Sequence, residues 1–181
     1  MLAADAQNLL KSADLVCSAE RVTRAVHRVA AEVTRALESA HPLVLTVMSG
    51  AVVFTGQLLP LLEFPLDLDY IHVTRYGDAV SGGRIEWKMF PDAKIAGRVV
   101  LIIDDILDEG HTLVEIRRRV LAAGASGFYA AVFADKDIGR NKPIAADFVG
   151  VTLPNRFVFG YGMDVKGAWR NLPAVYAMKQ D

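Results

Sequence analysis

The chain has 181 residues, of which 52% are hydrophobic, and its formal net charge at pH 7 is −1. This size and composition predict one domain with a substantial core, and the near-zero charge argues against a nucleic-acid partner held on a basic face. No apolar run reaches transmembrane length, and the single cysteine, Cys17, has no internal disulfide partner, so we expect a cytoplasmic protein with no membrane partner.

The first strong periodicity lies near the amino terminus. Ser18 is a suitable N-cap, and the apolar residues that follow it recur at helical spacing, namely Val22, Val26, Val29, Val33 and Leu37. This pattern predicts an amphipathic helix that packs on a sheet. We expect a solvated face, rather than a phosphate site, for the four arginines of this helix: Arg21, Arg24, Arg28 and Arg35.

Residues 43–47 predict the first central strand, and a turn of small residues, Ser49 and Gly50, follows it. A helix is predicted over residues 51–62. A turn of small residues after a buried strand can bring backbone N–H groups close to a phosphate. The motif alone is weak.

Two further strands are predicted over residues 66–73 and 84–89. The loop between them, residues 74–83, reads TRYGDAVSGG and contains three glycines and Tyr76. An ordinary hairpin and an active-site lid both have this composition, because glycine permits movement and tyrosine can exclude water. On its residues alone the loop is compatible with both.

The central stretch of the chain is residues 99–113, VVLIIDDILDEGHTL. Its apolar first part, residues 99–103, predicts a strand that is buried on both faces of a parallel sheet. Asp104 and Asp105 are predicted to end this strand, and Asp108 opens a turn from which a helix begins near Thr112.

These three carboxylates within five residues exceed what an ordinary strand, turn and helix require. Adjacent acids repel one another, so the cluster predicts a cation or a polyol ligand at the carboxyl edge of the sheet. Gly110 suits a tight turn whose amides attract an anion, and Thr112 adds a hydroxyl. A ribose and a phosphate would both fit. The stretch contains neither a Walker loop nor a G-x-G-x-x-G motif.

The next helix is predicted to end near Gly124, and its apolar positions are Val114, Ile116, Val120 and Leu121. A strand is predicted over residues 128–134, and Lys136 follows it at once. A lysine at this position is either a solvated connector or, because it follows a strand of the same sheet, a neighbour of the aspartates.

Residues 146–172 read ADFVGVTLPNRFVFGYGMDVKGAWRNL and predict a strand followed by turns. Considered as structure alone, the aromatic residues of this segment could simply belong to the core. They are Phe157, Phe159 and Tyr161.

Two of these segments carry a family resemblance. Residues 99–113 resemble the diphosphoribosyl-pyrophosphate motif of the type I phosphoribosyltransferases, which has an apolar strand, paired acids, two apolar residues and D-x-G-x-T. Residues 146–172 are similar to the pattern PDFVGFEIPxxFVVGYGLDYxxxxRxL of hypoxanthine-guanine phosphoribosyltransferases. The resemblance implies an α/β type I phosphoribosyltransferase fold with a mainly parallel central sheet flanked by helices. It also implies one domain over residues 1–181, with a small hood from both termini.

The implied activity is transfer of phosphoribose from 5-phosphoribosyl 1-pyrophosphate to hypoxanthine or guanine, which gives IMP or GMP and pyrophosphate. The resemblance also implies Mg²⁺ as cofactor, small molecules as partners, and a homodimer or homotetramer. A nucleotide-sensing regulator that keeps the fold, and that binds RNA, is the alternative, since fold alone does not exclude it.

The resemblance also implies roles for individual residues. Asp104 and Asp105 would hold the ribose hydroxyls, and Asp108 would be the catalytic base that faces purine N7. The turn that would hold the 5′-phosphate consists of Asp108, Glu109, Gly110, His111 and Thr112.

Purine recognition would fall to Lys136 at the 6-oxygen, Phe157 by stacking, and backbone groups of Val158. Asp164 would bind magnesium, together with Asp104 and Asp105. The residues implied to contact pyrophosphate are Ser49, Gly50, Arg75, Tyr76 and Arg170.

The chain departs from the family pattern at several of these positions. Ser49 and Ala51 replace the lysine and second glycine of a Leu-Lys-Gly-Gly turn, for which the resemblance implies a cis peptide bond at Met48-Ser49. Arg75 replaces the serine of a Ser-Tyr pair in the family's mobile loop, and Glu109 replaces a threonine. We expect the Glu109 carboxylate to point away from the phosphate.

Overall fold

The structure is a computed structural model that describes residues 1–76 and 84–179, with the backbone alone at residues 75, 76 and 84. Its helices are α1 (Ala3–Ser12), α2 (Ala19–Leu37), α3 (Val52–Leu58) and α4 (His111–Ala122). Its strands are β1 (Asp14–Cys17), β2 (Leu43–Met48), β3 (Asp67–Tyr76), β4 (Arg84–Met89), β5 (Val99–Leu107), β6 (Gly127–Asp137), β7 (Phe148–Pro154), β8 (Val158–Phe159) and β9 (Val175–Ala177).

The large sheet has the strand order β4-β3-β2-β5-β6-β7, and its neighbouring strands are parallel except for the antiparallel pair β3 and β4. The apolar run at the start of β5 lies at the centre of this sheet, where Val100, Leu101, Ile102 and Ile103 are fully buried. This confirms the predicted α/β class with a mainly parallel sheet. The carboxyl ends of β2, β5 and β6 therefore meet at one edge.

Helix α2 covers the sheet as predicted. The N–H of Arg21 donates to the hydroxyl of Ser18 at its amino terminus, which is the expected cap. All five predicted apolar positions of α2 are buried, and its four arginines are exposed. Arg28 also donates to the carbonyl oxygens of Val149 and Gly150, and it thereby ties the helix to β7.

Strands β5 and β6 are both longer than predicted. β5 continues to Leu107, so Asp104 and Asp105 lie within the strand and do not end it, and β6 includes Lys136. The parallel register continues through these polar residues, with Leu107 opposite Asp135. Backbone pairing between the strands therefore carries polar side chains to the end of the sheet.

Helices α3 and α4 also differ from the sequence prediction. Helix α3 ends at Leu58, before a 3₁₀ turn that contains Pro60, because proline cannot donate the backbone hydrogen bond that would continue the helix. In α4 the expected Val114 and Leu121 are exposed. Its buried face consists instead of Leu113, Ile116 and Val120.

The two ends of the described chain form a second sheet with the order β1-β9-β8. The guanidinium of Arg156 donates to the Asp14 carboxylate at 2.6 Å and to the Met178 carbonyl at 2.7 Å. The indole of Trp169 donates to the carbonyl of Ala6 in α1. None of the helices in the described ranges is long and apolar enough to cross a bilayer.

Candidate active site

A cavity of about 900 Å³ opens at the carboxyl edge of the large sheet. The turn after β2, the end of β5, the start of α4 and the end of β6 all reach it. The structure thus brings together, in one place, most of the residues that the sequence singled out. Among those that line the cavity are Ser49, Gly50, Asp104, Asp105, Asp108, Glu109, Gly110, His111, Thr112, Lys136, Asp164 and Arg170.

The turn between β5 and α4 has the conformation that its glycine predicts. Gly110 has φ +89° and stands at the amino terminus of α4, so its backbone lies in the left-handed region that favours glycine. Thr112 lies in the first turn of this twelve-residue helix. Free amides and the helix dipole make the turn suitable for an anion.

Asp104 and Asp105 are adjacent carboxylates on β5 that are largely removed from water. The backbone N–H of Asp105 donates to Oδ1 of Asp104, and the N–H of Ile106 donates to Oδ1 of Asp105. Burial, and then the neighbouring Asp105, raise the pKa of Asp104 well above its ordinary range. Burial also raises the pKa of Asp105, although the positive charge of Arg170 opposes this.

The turn after β2 packs directly against these acids. The peptide bond Met48-Ser49 is cis, as expected. A Cβ atom added to Gly50 would lie 2.1 Å from Oδ2 of Asp105, and one added to Gly162 would lie 2.2 Å from the Gly50 carbonyl oxygen. Only residues without side chains fit at Gly50 and Gly162, so the turn and the acid pair form one packed unit.

Lys136 and Asp108 form an ion pair across the ends of β6 and β5. The Lys136 Nζ lies 2.6 Å from Asp108 Oδ2, and the side chains are 13% and 49% exposed, respectively. Of the two alternatives that the sequence left open for Lys136, the structure supports the neighbour of the aspartates, although the ion pair with Asp108 itself was not predicted. A buried ammonium beside a carboxylate places a hydrogen-bond donor next to an acceptor.

A second ion-pair cluster also lines the cavity. Arg170 contacts Asp164 at 2.5 Å and Asp105 at 4.0 Å, and it donates to the carbonyl of Gly162. The backbone N–H of Gly167 donates to Asp164. Arg170 thus connects Asp164, which was expected to bind metal, to Asp105, which was expected to hold ribose.

Phe157 and Val158 line a smaller cavity of about 210 Å³ together with Asp108 and Lys136, which also line the large one. The Phe157 side chain is 56% exposed, which is unusual for phenylalanine, whereas Phe159 and Tyr161 are fully buried in the core. Val158 faces Ala177 across β8 and β9, and the N–H of Met178 donates to the Phe157 carbonyl. In this register the N–H and C=O of Val158 point away from β9. They can therefore meet a ligand.

Two basic residues at this edge were missed by the sequence interpretation. Arg140 contacts Glu109 at 2.9 Å, and Lys142 donates to the Leu107 carbonyl at 2.6 Å. Both follow β6, at the sheet edge where the carboxylates had been placed. The positive charges of the segment DIGRNK could therefore have indicated them.

Part of the predicted site lies outside the described residues. This applies to the side chains of Arg75 and Tyr76 and to residues 77–83 of the loop predicted over residues 74–83; residues 74–76 of that loop belong to β3, which continues past the predicted strand end at residue 73. Across the described ranges, no group of three or more His, Cys, Asp or Glu side chains is arranged to hold a metal ion by itself.

Comparison with known proteins adds an independent line of evidence. A hypoxanthine-guanine phosphoribosyltransferase of Bacillus subtilis (strain 168) is 34% identical over 166 residues, which cover 91% of this chain and 92% of the relative. The bifunctional protein TilS/HprT of Listeria innocua is 34% identical over 168 residues and 92% of this chain. This chain spans only 26% of that bifunctional relative.

A solved hypoxanthine phosphoribosyltransferase from Staphylococcus aureus has the same fold. It superposes with a TM-score of 0.87 at 25% identity, covering 99% of this chain and 97% of the other. This confirms the type I phosphoribosyltransferase fold that the sequence predicted.

The sequence model described as the phosphoribosyl transferase domain matches residues 16–166. That range begins in β1 and includes the turn after β2, the acids of β5, the turn before α4 and Lys136. Because the matched range carries nearly every element that reaches the cavity, the chain belongs to the phosphoribosyl transferase domain family.

Proposed function

We propose that this chain is a purine salvage enzyme that transfers phosphoribose from 5-phosphoribosyl 1-pyrophosphate to hypoxanthine or guanine. The products would be IMP or GMP and pyrophosphate. The single observation that carries the proposal is the Lys136–Asp108 pair, which stands beside the paired acids and the anion-binding turn in one cavity. The names of the full-length relatives support the same activity.

The phosphoribosyl substrate would bind along the sheet edge. The 5′-phosphate would occupy the turn that ends at Thr112, where amides and the amino terminus of α4 favour an anion. The ribose hydroxyls would contact Asp104 and Asp105, and the pyrophosphate would lie near Ser49, Gly50 and Arg170. Arg170 would then exchange part of its contact with Asp164 for the pyrophosphate.

The purine would lie between Phe157 and the Lys136–Asp108 pair. The exposed ring of Phe157 offers a stacking surface, and the outward-facing backbone groups of Val158 suit the purine edge. A lysine ammonium donates hydrogen bonds and accepts none, so it matches the 6-oxygen of hypoxanthine or guanine. The 6-amino group of adenine would be a second donor.

The reaction would be attack of a purine nitrogen on C1′ of the ribose, with loss of pyrophosphate. Bond breaking leaves positive charge on the ribose ring, which the nearby carboxylates stabilise, and negative charge on the leaving group, which amides and Arg170 stabilise. Asp108 would accept the proton or hydrogen bond at N7. We place Asp108 in this role because its carboxylate is half-exposed to the cavity.

Asp164, Asp104 and Asp105 would hold Mg²⁺. Their donors are hard oxygen ligands, and Mg²⁺ commonly takes one or two carboxylates and completes its shell with water and substrate phosphate. In the described ranges no group of three or more His, Cys, Asp or Glu side chains is arranged to hold the ion by itself, so water and substrate phosphate would complete its shell. When bound, the ion would neutralise charge on the leaving group.

We further propose a cytoplasmic enzyme that assembles as a homodimer or homotetramer and has no nucleic-acid or membrane partner. Cys17 is buried, and burial raises the pKa of its thiol, which suits a structural cysteine in a reducing compartment. The small sheet would form the hood over the purine. Light scattering of the purified chain would test the assembly.

The decisive experiment incubates the purified chain with phosphoribosyl pyrophosphate, Mg²⁺ and hypoxanthine, guanine, xanthine or adenine in turn. We expect IMP and GMP with the 6-oxopurines, little product with adenine, and loss of activity when a chelator removes the metal. If no purine yields a nucleotide while the chain still binds IMP or GMP, the chain is a nucleotide-sensing regulator on the same fold. Full activity in excess chelator would contradict the role of magnesium.

A further inference from the structure

Lys142 is a nearly buried cation in the segment that joins β6 to β7. Its side chain is only 11% exposed, and its ammonium donates to the main-chain carbonyl of Leu107 at 2.6 Å and to the carboxylate of Asp135. A buried ammonium is costly unless it has such partners. The contact is therefore specific and ordered, unlike that of a solvated surface lysine.

The two partners of Lys142 are neighbours across the sheet. Leu107 on β5 lies opposite Asp135 on β6 in the parallel register. The next residues along these strands are Asp108 and Lys136, which form the 2.6 Å ion pair of the cavity. Lys142 therefore fastens the two strands together one residue before that pair.

Asp135, the carboxylate partner of Lys142, does not share a face of β6 with Lys136. Successive residues of a strand point to opposite faces, so the side chain of Asp135 leaves the sheet away from that of Lys136. Lys142 and Asp135 line a second cavity of about 340 Å³, to which Lys136 also contributes. Lys142 can thus set the position of the ion pair through Leu107 and Asp135 rather than by direct contact with Asp108.

The same segment also supports the phosphate turn. A Cβ atom added to Gly110 would lie 3.3 Å from Cγ2 of Ile144 and 3.4 Å from Cδ of Pro143. The residues directly after Lys142 therefore pack against the middle of the turn, while Lys142 itself holds the carbonyl that precedes it. The turn is fixed at two points by one short segment.

We infer that Lys142 is a positioning residue for phosphoribosyl transfer, an inference that rests on the proposed function. Through Leu107 and Asp135, Lys142 fixes the spacing between the Asp108 carboxylate and the Lys136 ammonium. This spacing determines how well the two groups fit purine N7 and the 6-oxygen. A displacement of about 1 Å in a reacting geometry can cost about 100-fold in rate.

The test replaces Lys142 by methionine, which keeps an unbranched chain of similar length and removes the ammonium. Lys142→Met should lower kcat/KM for hypoxanthine about tenfold or more. The control is Lys94→Met, which removes an exposed lysine that contacts Asp69 at 2.6 Å and does not line the cavity. The control should leave kcat/KM unchanged.

A double-mutant cycle separates positioning from general destabilisation. If Lys142 acts through the ion pair, its effect should largely vanish once Lys136 is replaced, because residues that act as a unit are not additive. In a Lys136→Met background, Lys142→Met should change the logarithm of kcat/KM by less than about a third of the change that it causes in the parent protein. Fully additive losses would overturn the inference. So would an unchanged kcat/KM in the single variant.

Amide hydrogen exchange of the substrate-free protein provides a readout that does not depend on activity. Lys142→Met should accelerate exchange over residues 107–112, while Lys94→Met should not. If the parent protein makes no nucleotide, the proposed function fails, yet this exchange experiment still judges whether Lys142 holds the turn. Unchanged exchange would overturn that role. If Lys142→Met fails to fold, Asp135→Asn replaces it, because asparagine keeps the shape of the aspartate that Lys142 contacts. Asp135→Asn should accelerate exchange over residues 107–112 to a smaller degree. Unchanged exchange in Asp135→Asn would also overturn the inference.

Discussion

Nζ of Lys136 lies 2.6 Å from Oδ2 of Asp108, and the two residues stand at the ends of neighbouring parallel strands. The lysine is largely buried and the aspartate half-exposed, and both side chains line the large cavity, so one ligand there can contact both. The pair offers one donor and one acceptor side by side, which complements a purine with a 6-oxygen and an N7 proton. In the proposed function, discrimination between purines and proton transfer would thus depend on the same contact.

Lys136→Met should lower kcat/KM for hypoxanthine and guanine by about tenfold or more, because the 6-oxygen loses its donor and Asp108 loses its partner. The preference for these purines over adenine should shrink with it. Steady-state kinetics with all three purines measure both effects, and Lys94→Met is the control. A variant that keeps parental efficiency and still rejects adenine would show that Lys136 does not determine specificity.

Asp108→Asn should lower kcat by about 10² to 10⁴, the usual contribution of a general acid or base. The amide keeps the size of the side chain, so the thermal midpoint should change little. Asp92→Asn, an exposed aspartate that contacts Arg119, provides the control. Near-parental turnover in Asp108→Asn would exclude the proposed role.

Gly50→Ala should abolish most activity, because the new methyl group would overlap the carboxylate of Asp105. We expect kcat/KM for phosphoribosyl pyrophosphate to fall by about tenfold or more as the turn or the acid shifts. Gly56→Ala is a matched control, since a Cβ there meets nothing within 4 Å and lies in α3. That change should leave activity intact and stabilise the fold by about 0.5–1 kcal/mol. Equal activity of the two variants would refute the packing argument.

Asp104→Asn should make the substrate-free protein more stable at neutral pH. Burial and Asp105 raise the pKa of Asp104 above its ordinary value of 3.8, so above that pH the folded state binds more protons than the unfolded chain. Stability conferred by the protonated acid is therefore present at low pH and lost as the pH rises through the folded-state pKa. The asparagine avoids this loss.

Thermal unfolding in metal-free buffer, from about pH 3.5 to about pH 8, measures that difference. The gain in midpoint should be smallest at the acidic end and grow with pH, whereas activity should fall because the ribose contact is altered. A gain that is independent of pH would contradict the assigned cause.

Local patterns in the sequence predicted much of the site. The apolar run of β5, the closely spaced acids and Gly110 are contiguous, so spacing alone located the sheet edge and the turn. Helix α2 was likewise predicted at its cap and along its buried face. The family resemblance added the cis peptide bond at Met48-Ser49, which no local propensity indicates.

Contacts between distant segments were not predictable in the same way. The polar side chains of Asp104 and Lys136 interrupt the apolar pattern by which strands are recognised, although backbone pairing continues through them. Lys142 meets Leu107 across 35 positions of sequence, and only the parallel pairing of β5 and β6 brings them together. Strands β1, β8 and β9 have two to four residues, which are too few for an alternation of apolar and polar residues to be recognised in the sequence.

The position of Arg156 has a consequence for purine binding. This residue precedes Phe157 and bonds both to Asp14 in β1 and to the carbonyl of Met178 just after β9. The backbone that carries Phe157 is therefore tied, through Arg156, to the first strand of the fold and to the residue just after the last one. Loosening either chain end would first be observed as weakened affinity for the base, well before any loss of the main sheet, so ligand affinity can report on the integrity of the termini.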